Sequence, residues 1–380
     1  MKITNVTVHL VQTSDGKRLY DLVLLPGMRR DRWKHEIVSM EPGVMPVMRV
    51  ETDEGIIGAC TAERGASADL TSASLEQLRA LVIGQDPLDR ERLYQMLHTG
   101  TRWLYQPQGW LGPFDNCLWD ILGKAAGLPV YSLIGRVRDS APVYMNIRGE
   151  TKEEVADDAR RAVEDGFLAV KDHFYHSVRE NLEWFEAVRN AVGPDIEVMH
   201  DAVGIYTFEE ALRVGRALEE LDFRWFEEPL PERQHNKLKA LCDALDIPIL
   251  APEMMMNDVD LQAQWLISGA SDMIRANARH GTTAVLKLAH LAELHGVSIE
   301  LNGEGGLYGL VHAHLIASIS NTSYYETSGE YRRHAGQYCT EIGMLNPLDV
   351  VEGHAVPPAG PGWGAEWDWS YFRKRVVGEL

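Results

Sequence analysis

The chain has 380 residues, of which 45% are hydrophobic and 24% charged, a composition that supports a large folded core with a buried site. Its formal net charge of -19, with no compensating basic block, argues against nucleic acid and anionic membrane surfaces as partners. The four cysteines, Cys60, Cys117, Cys242 and Cys339, are scattered without metal-ligand spacing, and no apolar run is long enough to span a bilayer. Together with an N-terminus that alternates rather than forming a signal-peptide core, these features point to the cytoplasm.

The first 129 residues read as an α+β domain. "ITNVTVHLV" and "VMPVMRVETDEGIIGACTAE" alternate as strands, the second folded into a hairpin at Asp53-Glu54-Gly55. Three helical segments follow: "SLEQLRALVIG", "PLDRERLYQMLHTG" with proline near its start, and "FDNCLWDILGKAAG" with glycine at its end.

From Ala141 the pattern becomes a beat of short apolar strand and amphipathic helix. The predicted strands are "PVYMNI", "FLAVK", "IEVMH", "RWFEE", "IPILA", "DMIRA", "VSIEL" and "SYYE". Eight such beats predict a parallel TIM-type barrel over residues 130–335. Polar residues recur just after the strands at Asp201, Glu227, Glu253, Asn277, Asn302 and Glu326, in steps of about 25 residues, the length of one repeat. One polar residue per repeat forms a ring at the C-terminal mouth, where such barrels place their chemistry. The segment 336–380, with "GPGWGAEWDWSYF", is expected to pack back on the first domain.

Asp201, Glu227 and Glu253 come from successive repeats, so their carboxylates converge. Three carboxylates in one partly buried place need a cation, and oxygen-only ligation favours Mg²⁺ over zinc. One strand earlier, "AVKDHFYH" ends on Lys171-x-His173, which alternation puts on one face. Two basic groups there repel, which predicts a depressed pKa for both and a base usable near neutral pH.

The ordered set "DNCLWDILGKAAGLPVYSLIG", "APVY", Lys-x-His, "MHDA", "WFEEP", "APE" and "GPGWGAEWD" resembles the enolase superfamily, in its mandelate racemase-like branch, over essentially the whole chain. That resemblance implies a capping domain over a modified (β/α)7β barrel and Mg²⁺ held by Asp201, Glu227 and Glu253. It also implies proton abstraction next to a carboxylate through a metal-stabilised enediolate, and commonly a homo-oligomer, dimer or octamer. Lys171 and His173 stand where the family usually carries Lys-x-Lys. His173 is the candidate base, with Lys171 binding the carboxylate; the two roles can be exchanged.

The chain departs from the branch on the other side of the mouth. An Asp-His pair is usual there, and the matching positions here hold Asn277 and Asn302, amides that neither give nor take a proton. Racemisation normally wants a base on each face, whereas elimination can use one. The leading expectation is therefore syn dehydration of an aldonic or aldaric acid. Alternatives are epimerisation or cycloisomerisation with another acid, drawn from Glu304, His280, Tyr20, His35 and Tyr105. A Schiff-base aldolase using Lys171, or a non-catalytic metal binder, completes the range. His312 and His314 lie in a helical stretch and read as structural. Glu326 matches a position that contacts substrate or intermediate, Arg148 is a candidate for a distal carboxylate, and the cationic stretch with Arg29, Arg30 and Arg32 fits a lid.

Overall fold

Alternating residues along the first strands bury one face, and that face builds the capping sheet. The computed structural model describes residues 1–25, 31–62, 70–303, 307–328, 337–348 and 350–380, without side chains at 14–18, 39–42, 328, 337 and 338. Glu304, Arg29 and Arg30 lie outside the described residues. Strands β1 (Ile3–Leu24), β2 (Trp33–Thr52) and β3 (Ile57–Thr61) are antiparallel, with the turn at Asp53–Ile56 carrying Gly55 at φ +79. Helices α1 (Ser72–Val82), α2 (Arg90–Trp103), α3 (Gly112–Ala126) and the short α4 (Val130–Ile134) complete this domain.

β1 and β2 run further than the alternation suggests. They form one long ribbon, and Arg32 just before β2 reaches the barrel: its Nε donates to Ile205 O at 2.6 Å, and its Nη2 lies 3.8 Å from Glu210 Oε2. Arg32 pins the ribbon there; part of the expected cationic loop lies outside the described residues.

The barrel strands are β4 (Ala141–Asn146), β5 (Ala169–Asp172), β6 (Glu197–Asp201), β7 (Phe226–Glu227), β8 (Ile249–Ala251), β9 (Met273–Ala276), β10 (Ser298–Leu301) and β11 (Tyr325–Ser328). They pair in parallel from β4 to β10, and β11 pairs with β4. Among the described residues no strand ladder forms between β10 and β11; buried Glu300 bridges that seam, accepting from the N–H of Ser323 at 3.1 Å and of Tyr324 at 3.3 Å. Among the described residues seven α-helices alternate with the eight strands: α5 (Lys152–Glu164), α6 (Val178–Val192), α7 (Phe208–Glu220), α8 (His235–Cys242), α9 (Val259–Ser268), α10 (Thr282–Leu294) and α11 (Tyr308–Ser318). Capping boxes Ser177/Glu180 and Thr207/Glu210 start α6 and α7, satisfying N–H groups that a helix start leaves bare. The fold is the modified (β/α)7β barrel with an N-terminal capping domain. After α12 (Gln337–Glu341), the short strands β12 (Val350–Val351) and β13 (His354–Ala355), and α13 (Trp369–Arg375), β14 (Val376–Glu379) adds to the capping sheet beside β1.

α3 fastens the two domains directly behind the mouth. Asp115 accepts from the N–H of Thr283 at 2.8 Å, Asn116 Oδ1 accepts from the N–H of Thr282 at 2.9 Å, and Asn116 Nδ2 donates to Ala278 O at 2.7 Å. Gly112 permits this approach, since a Cβ there would sit 2.0 Å from Arg279 O. The chain after Asn277 is therefore held by the capping domain.

Candidate active site

Inside the barrel, side chains stack in two layers. Tyr144, Ala169, Met199, Trp225, Leu250, Met273 and Tyr324 form an apolar plug. Two residues further along a strand the side chain faces the same lumen one layer higher. Ala169 leads to Lys171, Met199 to Asp201, Trp225 to Glu227, Met273 to Arg275 and Tyr324 to Glu326. The upper layer is charged and buried, with Lys171, Glu227 and Arg275 at 0–1% side-chain exposure.

Asp201, Glu227 and Glu253 each offer a carboxylate oxygen within 4.8 Å of the others. Lys171 Nζ lies 3.0 Å from Glu227, 3.1 Å from Glu326 and 3.3 Å from Asp201. His173 Nε2 is 3.0 Å from Asp201 Oδ2, its ring half-buried at the mouth. Arg275 is missing from the sequence-derived candidates, yet it is the hub: Nε lies 2.8 Å from Glu227 Oε1 and 3.5 Å from Glu253 Oε2, and Nη2 lies 2.8 Å from Glu326 Oε2. Its signal in "DMIRA" was a charge in the middle of an apolar strand, two residues before Asn277 on the same face.

The depressed pKa values expected for Lys171 and His173 are overturned. Burial does lower Lys171, but Glu227 and Glu326 outweigh it and hold the ammonium well above its usual range. Burial also lowers His173, and the Asp201 carboxylate reverses the sign. The mutual repulsion of the pair is real but smaller than the attraction of carboxylates on neighbouring strands. Among the acids, burial raises Glu253 to about 7, while Lys171 and His173 overcome burial and keep Asp201 below the usual carboxylate range.

Asn302 Nδ2 donates to Glu253 Oε2 at 2.9 Å, and Asn277 Nδ2 donates to Asn302 O at 2.7 Å and Oδ1 at 3.1 Å. Glu326 accepts from Asn146 Nδ2 at 2.9 Å and from the N–H of Gly303 at 2.6 Å. Asn277, Asn302 and Glu326 therefore stand with the three acids and Lys171. Arg148 is apart from them: it is exposed and lines, with His173, Lys34, His35, His176 and Trp184, a cavity of about 810 Å³ under the ribbon. Neither His280 nor Tyr105 belongs to the mouth. His280 is buried against Gly109 and Asn257 with both ring nitrogens unbonded, and Tyr105 is 85% exposed beside Trp103. Tyr20 stacks edge-on with His35 on the ribbon, and of these two only His35 lines the cavity. His312 bonds the backbone of Ala278 and Gly303, and His314 that of Tyr131 and Trp363.

The donors suit a divalent cation. Four carboxylates, Asp201, Glu227, Glu253 and Glu326, face two fixed cations, Lys171 and Arg275, leaving two negative charges when all four are ionised. Glu227 Oε1 is buried with no hydrogen bond, only its ion pair to Arg275. Oxygen donors of this kind fit Mg²⁺.

A (β/α)7β barrel under an α+β cap, with carboxylates from successive strand ends, defines an enolase-type enzyme. Residues 154–371 match the model of the enolase C-terminal domain-like family and residues 27–135 that of the mandelate racemase/muconate lactonizing enzyme N-terminal domain, and the chain belongs to this family. It is 29% identical over 386 residues to D-galactarolactone cycloisomerase of Agrobacterium fabrum, covering 96% of both chains. It is 25% identical over 347 residues to arabinonate dehydratase of Saccharolobus solfataricus, covering 88% of this chain and 91% of that one. Among solved structures, D-glucarate dehydratase from Agrobacterium tumefaciens complexed with magnesium superposes with a TM-score of 0.83, at 29% identity and full coverage of both chains. These relatives are lyases and an isomerase of acid sugars. No helix among the described residues is long and apolar enough to cross a membrane.

Proposed function

We propose that the protein dehydrates an aldonic or aldaric acid to the 2-keto-3-deoxy acid, with Mg²⁺ held by Asp201, Glu227 and Glu253. The observation that carries this reading is the asymmetry of the mouth: ionisable groups on the β5 to β8 side, amides on the β9 and β10 side. Bound Mg²⁺ supplies positive charge for the enediolate that forms when the weakly acidic proton beside the carboxylate is removed.

The chain's own groups account for the remaining steps. His173, half-buried and open to the cavity, takes the C2 proton on its imidazole. The C2–H electron pair moves into the carboxylate, then expels the C3 hydroxyl, which leaves as water with the proton returned by His173. The enol tautomerises to the ketone. Lys171, held as a cation, and Asn302, which has an amide donor, orient the substrate carboxylate; Glu326 and Asn277 brace that wall. Arg148, which lines the same cavity as His173, meets the distal part of the substrate. A Schiff-base role for Lys171 would need a neutral amine, which three surrounding carboxylates oppose.

Cycloisomerisation of a sugar lactone is the second reading, favoured by the likeness to D-galactarolactone cycloisomerase. Proton NMR in D₂O with Mg²⁺ and pooled acid sugars separates the two. A 2-keto-3-deoxy product abolished by EDTA supports dehydration, and deuterium at C2 with every hydroxyl retained supports isomerisation.

Two coarser features belong with this proposal. A cytoplasmic location fits four cysteines that are all free. A homo-oligomer fits the apolar face of the ribbon, where Tyr20 opposite Ile37 and Leu24 opposite Trp33, with Leu22 between, are all exposed on one side, Leu24 and Ile37 also lining the cavity. Sedimentation velocity reads the oligomeric state directly, and a monomer at micromolar concentration would remove that part.

A further inference from the structure

Behind the mouth, on the opposite face of the same two strands, lies a polar pair that the proposed reaction does not use. Asp172 on β5 and His200 on β6 are directly opposed in the parallel register. Alternation turns both side chains outward, away from the lumen that Lys171 and Asp201 face. Both are fully buried. His200 Nδ1 lies 2.6 Å from Asp172 Oδ1, and because a carboxylate only accepts, the proton sits on Nδ1. The other ring nitrogen meets the Tyr206 hydroxyl at 3.0 Å, and Asn181 Nδ2 donates to that hydroxyl at 2.6 Å.

The surroundings are aromatic. The His200 ring centre is 4.6 Å from that of Phe185 and 5.5 Å from that of Phe226. Apolar side chains would fill such a place at no loss of stability, so a buried ionisable pair there calls for a use beyond packing. Its hydrogen bonds indicate one. The same Asp172 oxygen that receives the His200 proton also accepts the N–H of Phe174 at 3.2 Å, closing an Asx turn whose middle residue is His173. Asn181 extends the hold, accepting from the N–H of His176 at 3.2 Å. On the neighbouring strand His200 directly precedes Asp201, whose carboxylate is 3.0 Å from His173 Nε2.

We propose that the Asp172–His200 pair, backed by Tyr206 and Asn181, is a positioning device that fixes the turn carrying His173 against the strand end carrying Asp201. These residues do not touch the substrate; they act through the placement of the His173 ring. The proposal rests on His173 being the base, and its test has one arm that does not.

The test uses the asymmetry between losing one buried partner and losing both. His200→Phe alone leaves the Asp172 carboxylate unpaired and lowers both Tm and activity. The double variant Asp172→Val/His200→Phe removes the unpaired charge and regains most of the Tm. In that double variant kcat stays down about a hundredfold, the scale of a misplaced catalytic group, while KM moves by less than about threefold. His200→Gln, which keeps an N–H donor toward Asp172, recovers most of kcat. The substrate-independent arm is a crystal structure of the double variant, in which the His173 ring is displaced from Asp201 by about 1 Å or more. Recovery of kcat together with Tm, or an undisplaced ring, overturns the proposal. Full turnover by His173→Gln would instead overturn the reading of His173 as base and leave the crystallographic arm standing.

Discussion

The two sides of the barrel mouth are built from the same repeat and carry opposite chemistry. On the β5 to β8 side, strand ends present Lys171, His173, Asp201, Glu227 and Glu253, groups that hold charge and exchange protons. On the β9 and β10 side, the matching ends present Asn277 and Asn302, which donate hydrogen bonds to their neighbours. The charged residues of those two strands point elsewhere: Arg275 reaches across to Glu227 and Glu326, and Glu300 closes the seam. In the proposed reaction, proton transfer is thereby confined to one face, and the other face supplies shape and neutral donors.

The sharpest way to break this contrast is at the proposed base. His173→Gln is expected to lower kcat by about a thousandfold, within the range for losing a general acid–base group, with circular dichroism and Tm unchanged because the ring is half-buried at the mouth. A variant with wild-type turnover would move proton transfer to the other side. The next largest effect falls on Arg275, the group that ties the two sides together. Arg275→Met removes one of the two buried cations that Glu227 and Glu326 share and is expected to cost about 3 kcal/mol or more in urea unfolding. A loss under about 1 kcal/mol would mean that Lys171 suffices to hold the acids.

Glu300 sharpens the comparison from the amide side. Burial raises its carboxyl to about 7. A raised folded-state pKa means that the native state holds the proton more tightly than the unfolded chain does. That contribution is complete below the unfolded value near 4.5 and is lost as pH climbs through about 7. Glu300→Gln should therefore leave Tm at pH 4.5 nearly unchanged and raise it at pH 8; equal shifts at both values would contradict the assignment. The smallest effect is expected at Asn302. Asn302→Ala removes one neutral donor to Glu253 and should lower kcat/KM about tenfold, the scale of one hydrogen bond. A loss as large as that of His173→Gln would give the amide side a role in proton transfer.

Much of the architecture could be read directly from the residues. The strand–helix beat from Ala141 produces the barrel, and the polar residues at strand ends converge because consecutive repeats neighbour each other. Strand alternation alone places Lys171 in the lumen, while His173 stands just past the end of β5 in the turn closed by Asp172. Alternation could not supply the sign of their pKa shifts, since that depends on Asp201 and Glu227, 30 and 56 residues further along the chain from Lys171. Arg275 was illegible for a related reason: a charge inside a strand declares only that it must be paired, and its partners Glu227 and Glu326 belong to strands on both sides of it.

The length of the β1–β2 ribbon was hidden too, because the stretch around Trp33 reads locally as a cationic loop, and only its anchorage through Arg32 onto Ile205 and Glu210 makes it a roof over the cavity. Asp172 and His200 show the same division. Local alternation determines that they leave the lumen, and the parallel register of β5 and β6 decides that they meet. Periodicity is a property of neighbours in the chain, so the sequence by itself determined the repeat, the facing of side chains and the identity of the acids. Charge balance acts through space between distant strands, so the protonation of the pair at the mouth and the residues that brace it were decided only when the barrel closed.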